Sequence, residues 1–242
     1  MIVTSSRPLG FDFPTAAFTS QQVDNAIVNA PKLFPPGAAY SYSNSNYFVL
    51  AAILEVVTKT SYADYLSRHI FQPLGLNHTF YATPPNALMA LPYTTTRSLV
   101  SGSKDFAAGI IPDPSFLSGA GALWSSGEDL AKWNAALLDG AVISPELLSL
   151  AVTPPASVPI FQNGATTPYA MGWLRGSMNG HSLVWHNGRT YAYTAYNGMF
   201  LEDGFSLSIL TNINLQEETP LLAFAQKLMQ KICSGQGTAA EC

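Results

Sequence analysis

A chain of 242 residues, 48% apolar and only 11% charged, has enough apolar content to bury a large core, and its length fits one domain. The net charge of -4 and six singly scattered lysines give no basic stripe for neutralising phosphates, so nucleic acid is excluded as the expected partner. The longest apolar run, from Tyr47 to Val57, is broken by Glu55 and falls far short of the roughly 20 residues a bilayer span needs, so no membrane span is expected.

Residues 1–39 carry Pro8, Pro14, Pro31, Pro35 and Pro36 without a sustained helical period. They read as an irregular lead-in with at most a short helix near Ser20 to Asn29. Neither a basic segment nor a continuous apolar segment follows Met1, so no export signal is expected in these residues. From Ser45 to Thr58 the pattern changes: Tyr47, Leu50, Leu54 and Val57 recur at helical spacing, Asn44 or Ser45 stands where a cap belongs, and the helix is expected to be largely buried. A second helix is expected from Ser61, with Asp64 three residues on as in a capping box, ending at Gln72-Pro73-Leu74-Gly75.

Residues 77–118, rich in proline, Ser and Thr, read as a long irregular excursion. A further helix is expected from Ser126 to about Leu138, and a short one from Pro145 behind Ser144. Helix and loop thus dominate residues 40–155.

After Pro168 the period becomes two. Tyr169 to Arg175, His181 to Trp185, Thr190 to Phe200 and Phe205 to Asn212 read as successive strands, the last two joined through Glu202-Asp203-Gly204. Thr219-Pro220 opens a final helix that ends near Cys233 and is placed to cover one face of the sheet. Residues 168–233 are then a sheet with its terminal helix, and 234–242 a tail. The expected class is α+β: a helical region, then an antiparallel sheet with a C-terminal helix packed on it. The small polar tail between Cys233 and Cys242 leaves both a disulfide and two separate thiols open.

The most informative stretch is Phe34-Pro35-Pro36-Gly37-Ala38-Ala39-Tyr40-Ser41-Tyr42-Ser43-Asn44-Ser45-Asn46-Tyr47, which runs straight into the first strong helix. It resembles the Tyr-x-Asn motif of the serine β-lactamase and penicillin-binding protein family, which includes class C β-lactamases, D-alanyl-D-alanine peptidases and related esterases. Three further stretches follow in that family's order: Gly119 to Leu130, Tyr169-Ala170-Met171-Gly172-Trp173, and His186-Asn187-Gly188 where the family has Lys-Thr-Gly or His-x-Gly.

The resemblance covers about residues 33 to 232 and is that of the family's C-terminal two-thirds. It implies hydrolysis of a β-lactam, a D-alanine peptide or a small ester through an acyl-enzyme, a small-molecule or peptide substrate, and a periplasmic or secreted location.

Each group has a physical reason to be there. A phenol with its ordinary pKa near 10 is a poor base at neutral pH, so Tyr42 needs a neighbour that favours phenolate or relays a proton. Asn44 offers donor and acceptor together and points the same way as Tyr42 if the segment is extended. His186 can donate to a substrate carboxylate or to Tyr42, and Gly188 lets an acyl group approach the strand. By resemblance, Asn187 and Gly188 line the substrate and the Arg189 backbone N–H forms half of an oxyanion hole. These groups are expected to face one cleft, with Trp185 beside His186 lining it.

The family's nucleophile is the Ser of a Ser-x-x-Lys at a helix start, where one turn brings Lys over Ser. None of Ser5, Ser6 or Ser20 has a lysine three residues on; the literal match is Ser101-Gly102-Ser103-Lys104. The expectation is that the family's upstream segment is not among these residues. Two readings remain: a working hydrolase, or a relative that binds ligand without chemistry. An apolar face left without that segment would close by pairing, which predicts a homodimer.

No cofactor or metal is expected. Gly119-x-Gly121 lacks the third glycine of a dinucleotide turn, there is no His-Glu-x-x-His, and His181 and His186 face opposite sides of one strand.

Overall fold

The computed structural model describes residues 20–82, 88–97, 104–109, 117–155, 159, 168–190, 193–213 and 219–235. Ser101, Cys242 and therefore both the Ser101–Lys104 pairing and the Cys233–Cys242 question lie outside those residues. The chain divides into two compact units: residues 1–88, 112–125 and 155–167 in the first, and 89–111, 126–154 and 168–242 in the second. No helix among the described residues is long and apolar enough to cross a membrane.

The first unit is built on α1 (Ser20–Asn29), α2 (Asn44–Thr58) and α3 (Tyr62–Leu66), the last continuing as a π-type turn over Ser67–Phe71. Ser43, not Asn44 or Ser45, caps α2: its backbone is extended, and its hydroxyl accepts from the Ser45 N–H at 3.3 Å. Lys59 ends the helix in the left-handed conformation and returns its N–H to the Glu55 carbonyl. Ser61 caps α3 by accepting from the Asp64 N–H, and its hydroxyl donates to the Asp64 carboxylate at 2.9 Å. The Glu55 carboxylate accepts from the Tyr62 N–H at 2.7 Å, which fastens α2 to α3.

The expectation of a largely buried α2 is corrected. Phe48 and Ala51 are buried, whereas Leu50, Ile53, Val56 and Val57 are each more than half exposed. The reason lies in the sequence: α2 is apolar on every side, so periodicity cannot say which side finds a neighbour. That side meets the 3-10 turn Ser118–Ala120, where a Cβ on Gly119 would stand 2.5 Å from the Tyr47 carbonyl oxygen. Only glycine permits this approach. Strands β1 (Phe80–Tyr81) and β4 (Leu123–Trp124) pair antiparallel beside it.

In the second unit, β2 (Tyr93–Arg97) and β3 (Lys104–Ala108) form an antiparallel pair inside the stretch expected to be irregular. Proline and turn residues around them mask two short strands whose pairing is not visible in a single-sequence period. Four further strands, β5 (Leu174–Met178), β6 (His181–Arg189), β7 (Thr194–Phe200) and β8 (Phe205–Thr211), form one antiparallel sheet in chain order. The expected strand from Tyr169 is corrected, because Gly172 turns the chain at positive φ and β5 begins only at Leu174.

Alternation sorts this sheet into two faces. Leu183, Tyr196 and Phe200 join Leu221, Ala225 and Met229 of α6 (Thr219–Gly235) in one cluster, as expected for a terminal helix laid on the sheet. Val184 and Met199 face the other way, against Leu137 of α4 (Gly127–Leu138) and against Leu148 and Val152 at α5 (Pro145–Ala151). The α+β class therefore holds, with the second unit's sheet covered by helices on both faces.

On the α4 side a polar group sits within the packing. The Asn134 amide donates to the Asn197 oxygen at 2.7 Å, the Asn197 amide donates back at 3.0 Å, and the Ser208 hydroxyl donates to the same Asn197 oxygen at 2.6 Å. Asn134 is fully buried. Asn134→Ala strands the Asn197 amide without its acceptor. It is expected to cost about 2 kcal/mol after alanine's small helix advantage, lowering Tm by about 4–8 °C. Urea and thermal unfolding check this; a loss under about 0.5 kcal/mol, the range of a neutral surface change, would remove the network from the fold's stability.

Candidate active site

The Tyr-x-Asn segment belongs to the first unit. The Tyr40 N–H donates to the Pro159 carbonyl at 2.8 Å, and Ser43, with an extended backbone, stands directly before α2 begins at Asn44. Burial pushes the Tyr40 phenol well above its ordinary range, and the neighbouring Tyr42 and Tyr47 phenols push it further. Tyr40 therefore holds its proton more tightly than a free phenol. Tyr42 is 42% exposed and so can meet a solute. Asn44 is exposed as the first residue of α2, directly after the extended Ser43.

The His-x-Gly segment lies in β6 of the second unit, where His186 pairs with Asn197, Asn187 with Tyr196, Gly188 with Ala195 and Arg189 with Thr194. His186 shares its face with Val184 and Asn197, the side packed by α4 and α5. Its Nδ1 lies 2.6 Å from the Asn187 carbonyl oxygen and its Nε2 3.2 Å from the Tyr169 hydroxyl. A carbonyl only accepts, so Nδ1 carries the proton and, in the neutral ring, Nε2 accepts from Tyr169. The sequence pattern marks Tyr169 only as a strand residue; no periodicity links it to a histidine 17 positions away.

Gly188 is a glycine the fold does not demand. A Cβ there would meet the Ala195 Cβ at 3.9 Å, an ordinary contact, whereas one on Gly198 would meet the Tyr196 hydroxyl at 2.8 Å. Arg189 is exposed at the end of β6. Trp185, expected beside His186 in a cleft, turns instead to the α6 face: it packs against the Leu183–Phe200 cluster, and its ring lies 3.1 Å from where a Gly176 Cβ would be. Neighbours along a strand point to opposite faces, so Trp185 and His186 cannot share one. Lys104 is the first residue of β3, paired with Arg97, and so stands in a strand and not in a helical turn.

The order of these segments along the chain matches a known pattern: the β-lactamase family model aligns with residues 4–228. The chain belongs to the β-lactamase family. Among relatives, PbpX of Bacillus subtilis (strain 168), named as a penicillin-binding protein, is 34% identical over 152 residues, covering 62% of this chain and 35% of that one. A D-aminopeptidase of Gluconobacter oxydans (strain 621H) is 26% identical over 179 residues, covering 74% and 32%.

Among solved structures, the D-amino acid amidase of Ochrobactrum anthropi SV3 superposes with a TM-score of 0.78 at 23% identity, over 96% of this chain and 70% of that one. This last likeness establishes the β-lactamase-like fold. The chain spans about a third of the length of the curated relatives it matches.

Proposed function

We propose that this chain carries the Tyr-x-Asn and His-x-Gly parts of a serine hydrolase that transfers an acyl group from an amide to water. The observation that carries the reading is the family match over residues 4–228, which contains both Tyr42-Ser43-Asn44 and His186-Asn187-Gly188 in family order. Among the β-lactams, D-alanine peptides and small esters open to such a site, the likeness to a D-aminopeptidase favours an amide next to a D-configured residue.

In the proposed reaction a serine hydroxyl attacks the amide carbonyl and forms an ester, the serine proton passes through Tyr42 to the leaving amine, and water then cleaves the ester. Asn44 and His186 position the substrate, with Asn187 and Gly188 beside it, and the Arg189 N–H stabilises the developing oxyanion. Gly188, free of any demand from the fold, supports the idea that something from outside the sheet approaches it closely.

The serine is Ser101 with Lys104, or one supplied from outside this sequence. The strand position of Lys104 favours the second source. It also keeps open a second reading, a relative that binds ligand without chemistry. A fluorophosphonate label followed by peptide mapping, together with calorimetry and a turnover assay on D-alanine amide, separates them. An adduct on Ser101 assigns the nucleophile within the chain. Binding of D-alanine amide with neither adduct nor turnover, in this chain and in a version extended upstream, would defeat the hydrolase and leave the binding relative.

A further inference from the structure

We propose that Tyr169 is a positioning residue for His186: its hydroxyl holds the imidazole Nε2 while the Asn187 carbonyl holds Nδ1–H, so the ring is locked in one tautomer and one orientation. The functional consequence rests on the hydrolase reading above; the lock itself does not.

Three observations within the second unit carry it. First, both ring nitrogens have partners, and that of Nδ1 has a fixed polarity. The Nδ1 contact at 2.6 Å is to an oxygen that can only accept, and the Tyr169 hydroxyl at 3.2 Å from Nε2 can donate to a neutral ring or accept from a protonated one. The rings stand edge to face at 82° with centroids 5.7 Å apart, which adds an aromatic contact to the hydrogen bond.

Second, Tyr169 has little freedom to move. It is 7% exposed and bridged to Leu174. The Arg175 N–H donates to the Pro168 carbonyl at 2.9 Å and the Ala170 N–H to the Trp173 carbonyl at 2.7 Å, which closes the turn on both sides of Tyr169. The Met171 N–H then ties that turn to the Ala151 carbonyl at the end of α5. A phenol on so constrained a backbone is a suitable anchor for a neighbour's ring.

Third, the strand beside His186 is itself fixed. Its cross-strand partner Asn197 is the residue that exchanges hydrogen bonds with Asn134 and accepts from Ser208. His186 is thus held by Tyr169 while the strand next to it is held by a buried polar network. If His186 meets a substrate, it does so as a fixed, oriented group and not as a freely turning base, because a neutral ring keeps neither nitrogen uncommitted.

The test is imidazole nitrogen NMR on the folded chain at a pH where the ring is neutral. The chain has four histidines, and the His186 signal is assigned by its absence in His186→Gln. In the wild type, Nδ1 is expected in the protonated position and Nε2 in the unprotonated one. In Tyr169→Phe, which keeps the buried ring and removes only the hydroxyl, Nδ1–H keeps its acceptor, so the tautomer is expected to hold while the Nε2 shift moves as that nitrogen loses its hydrogen-bond donor.

A wild-type signal with Nε2 protonated, or a Tyr169→Phe spectrum unchanged at His186, overturns the proposal whatever the activity. A moved Nε2 signal with a loss in kcat/KM for D-alanine amide supports both the lock and the hydrolase reading. A moved Nε2 signal with kcat/KM or ligand affinity unchanged supports the lock and removes His186 from the site.

Discussion

On the proposed hydrolase reading, and in a form of the protein that carries the nucleophile, Tyr42→Phe is expected to lower kcat for hydrolysis of a D-amino acid amide by about 10²–10⁴-fold, the usual contribution of a positioned proton-transfer group, with KM much less affected. Three phenols lie close together ahead of and within α2, and the structure gives a reason to choose among them. Tyr40 loses solvent, and both of its tyrosine neighbours disfavour its phenolate, so it is a poorer proton acceptor than an ordinary phenol. Tyr42 keeps access to solvent directly before the Ser43 cap that fixes the start of the helix.

Tyr40→Phe is therefore the informative control: it removes a phenol from the same cluster and should leave kcat near the wild-type value. Steady-state kinetics on the two variants decide the matter. If Tyr40→Phe loses turnover and Tyr42→Phe keeps it, the proton relay has been assigned to the wrong phenol.

The elements that were legible in the sequence are those in which a local signal decides the structure. Ser61 with Asp64, Ser126 with Asp129 and Ser144 with Pro145 all mark real helix starts, because a hydroxyl that satisfies an N–H two or three residues on needs no tertiary partner. The hairpin at Glu202-Asp203-Gly204 was legible for a similar reason: Gly204 takes up a positive φ that costs most other residues energy.

What depended on a distant neighbour was not legible. The β2–β3 pair owes its existence to register between two short segments, and the exposed side of α2 follows from which face meets Gly119. The cap on α2 falls at Ser43, one or two residues before the expected Asn44 or Ser45, because all three residues are competent caps.

The candidate site divides along the same line. His186-Asn187-Gly188 could be read as a motif, and strand alternation then predicts that His186 and Trp185 part company. Nothing local says that a tyrosine beyond a glycine turn reaches the imidazole, or that Asn197, opposite His186, is tied to a helix 63 residues earlier in the chain. Polar residues in half-buried strands carry no period of their own. Their partners emerge only when strands pair, and this part of the site is therefore the least visible in one sequence.

Phe200→Ala is expected to destabilise the protein by about 3–5 kcal/mol, near the top of the range for a single core truncation, and to lower Tm by about 10 °C. Phe200 is completely buried at the end of β7, on the face that α6 covers with Leu221, Ala225 and Met229. Its ring stacks on Phe205, the residue paired with it across the hairpin, at 4.4 Å and 18°, and the His181 ring meets it edge-on at 6.4 Å. The Phe200 carbonyl also accepts the Gly204 N–H that closes the turn, so the side chain packs where the backbone is already fixed and the vacated volume cannot easily collapse.

Phe200→Leu, which keeps most of the volume, should cost less than about 1.5 kcal/mol. Phe224→Ala, on the exposed side of the same α6, should stay within about 0.5 kcal/mol of wild type. Denaturant unfolding of the three variants measures the order. Equal losses for Phe200→Ala and Phe224→Ala would mean that α6 does not seal this face of the sheet, and the cluster that fixes the strands beside His186 would have to be sought on the α4 side alone.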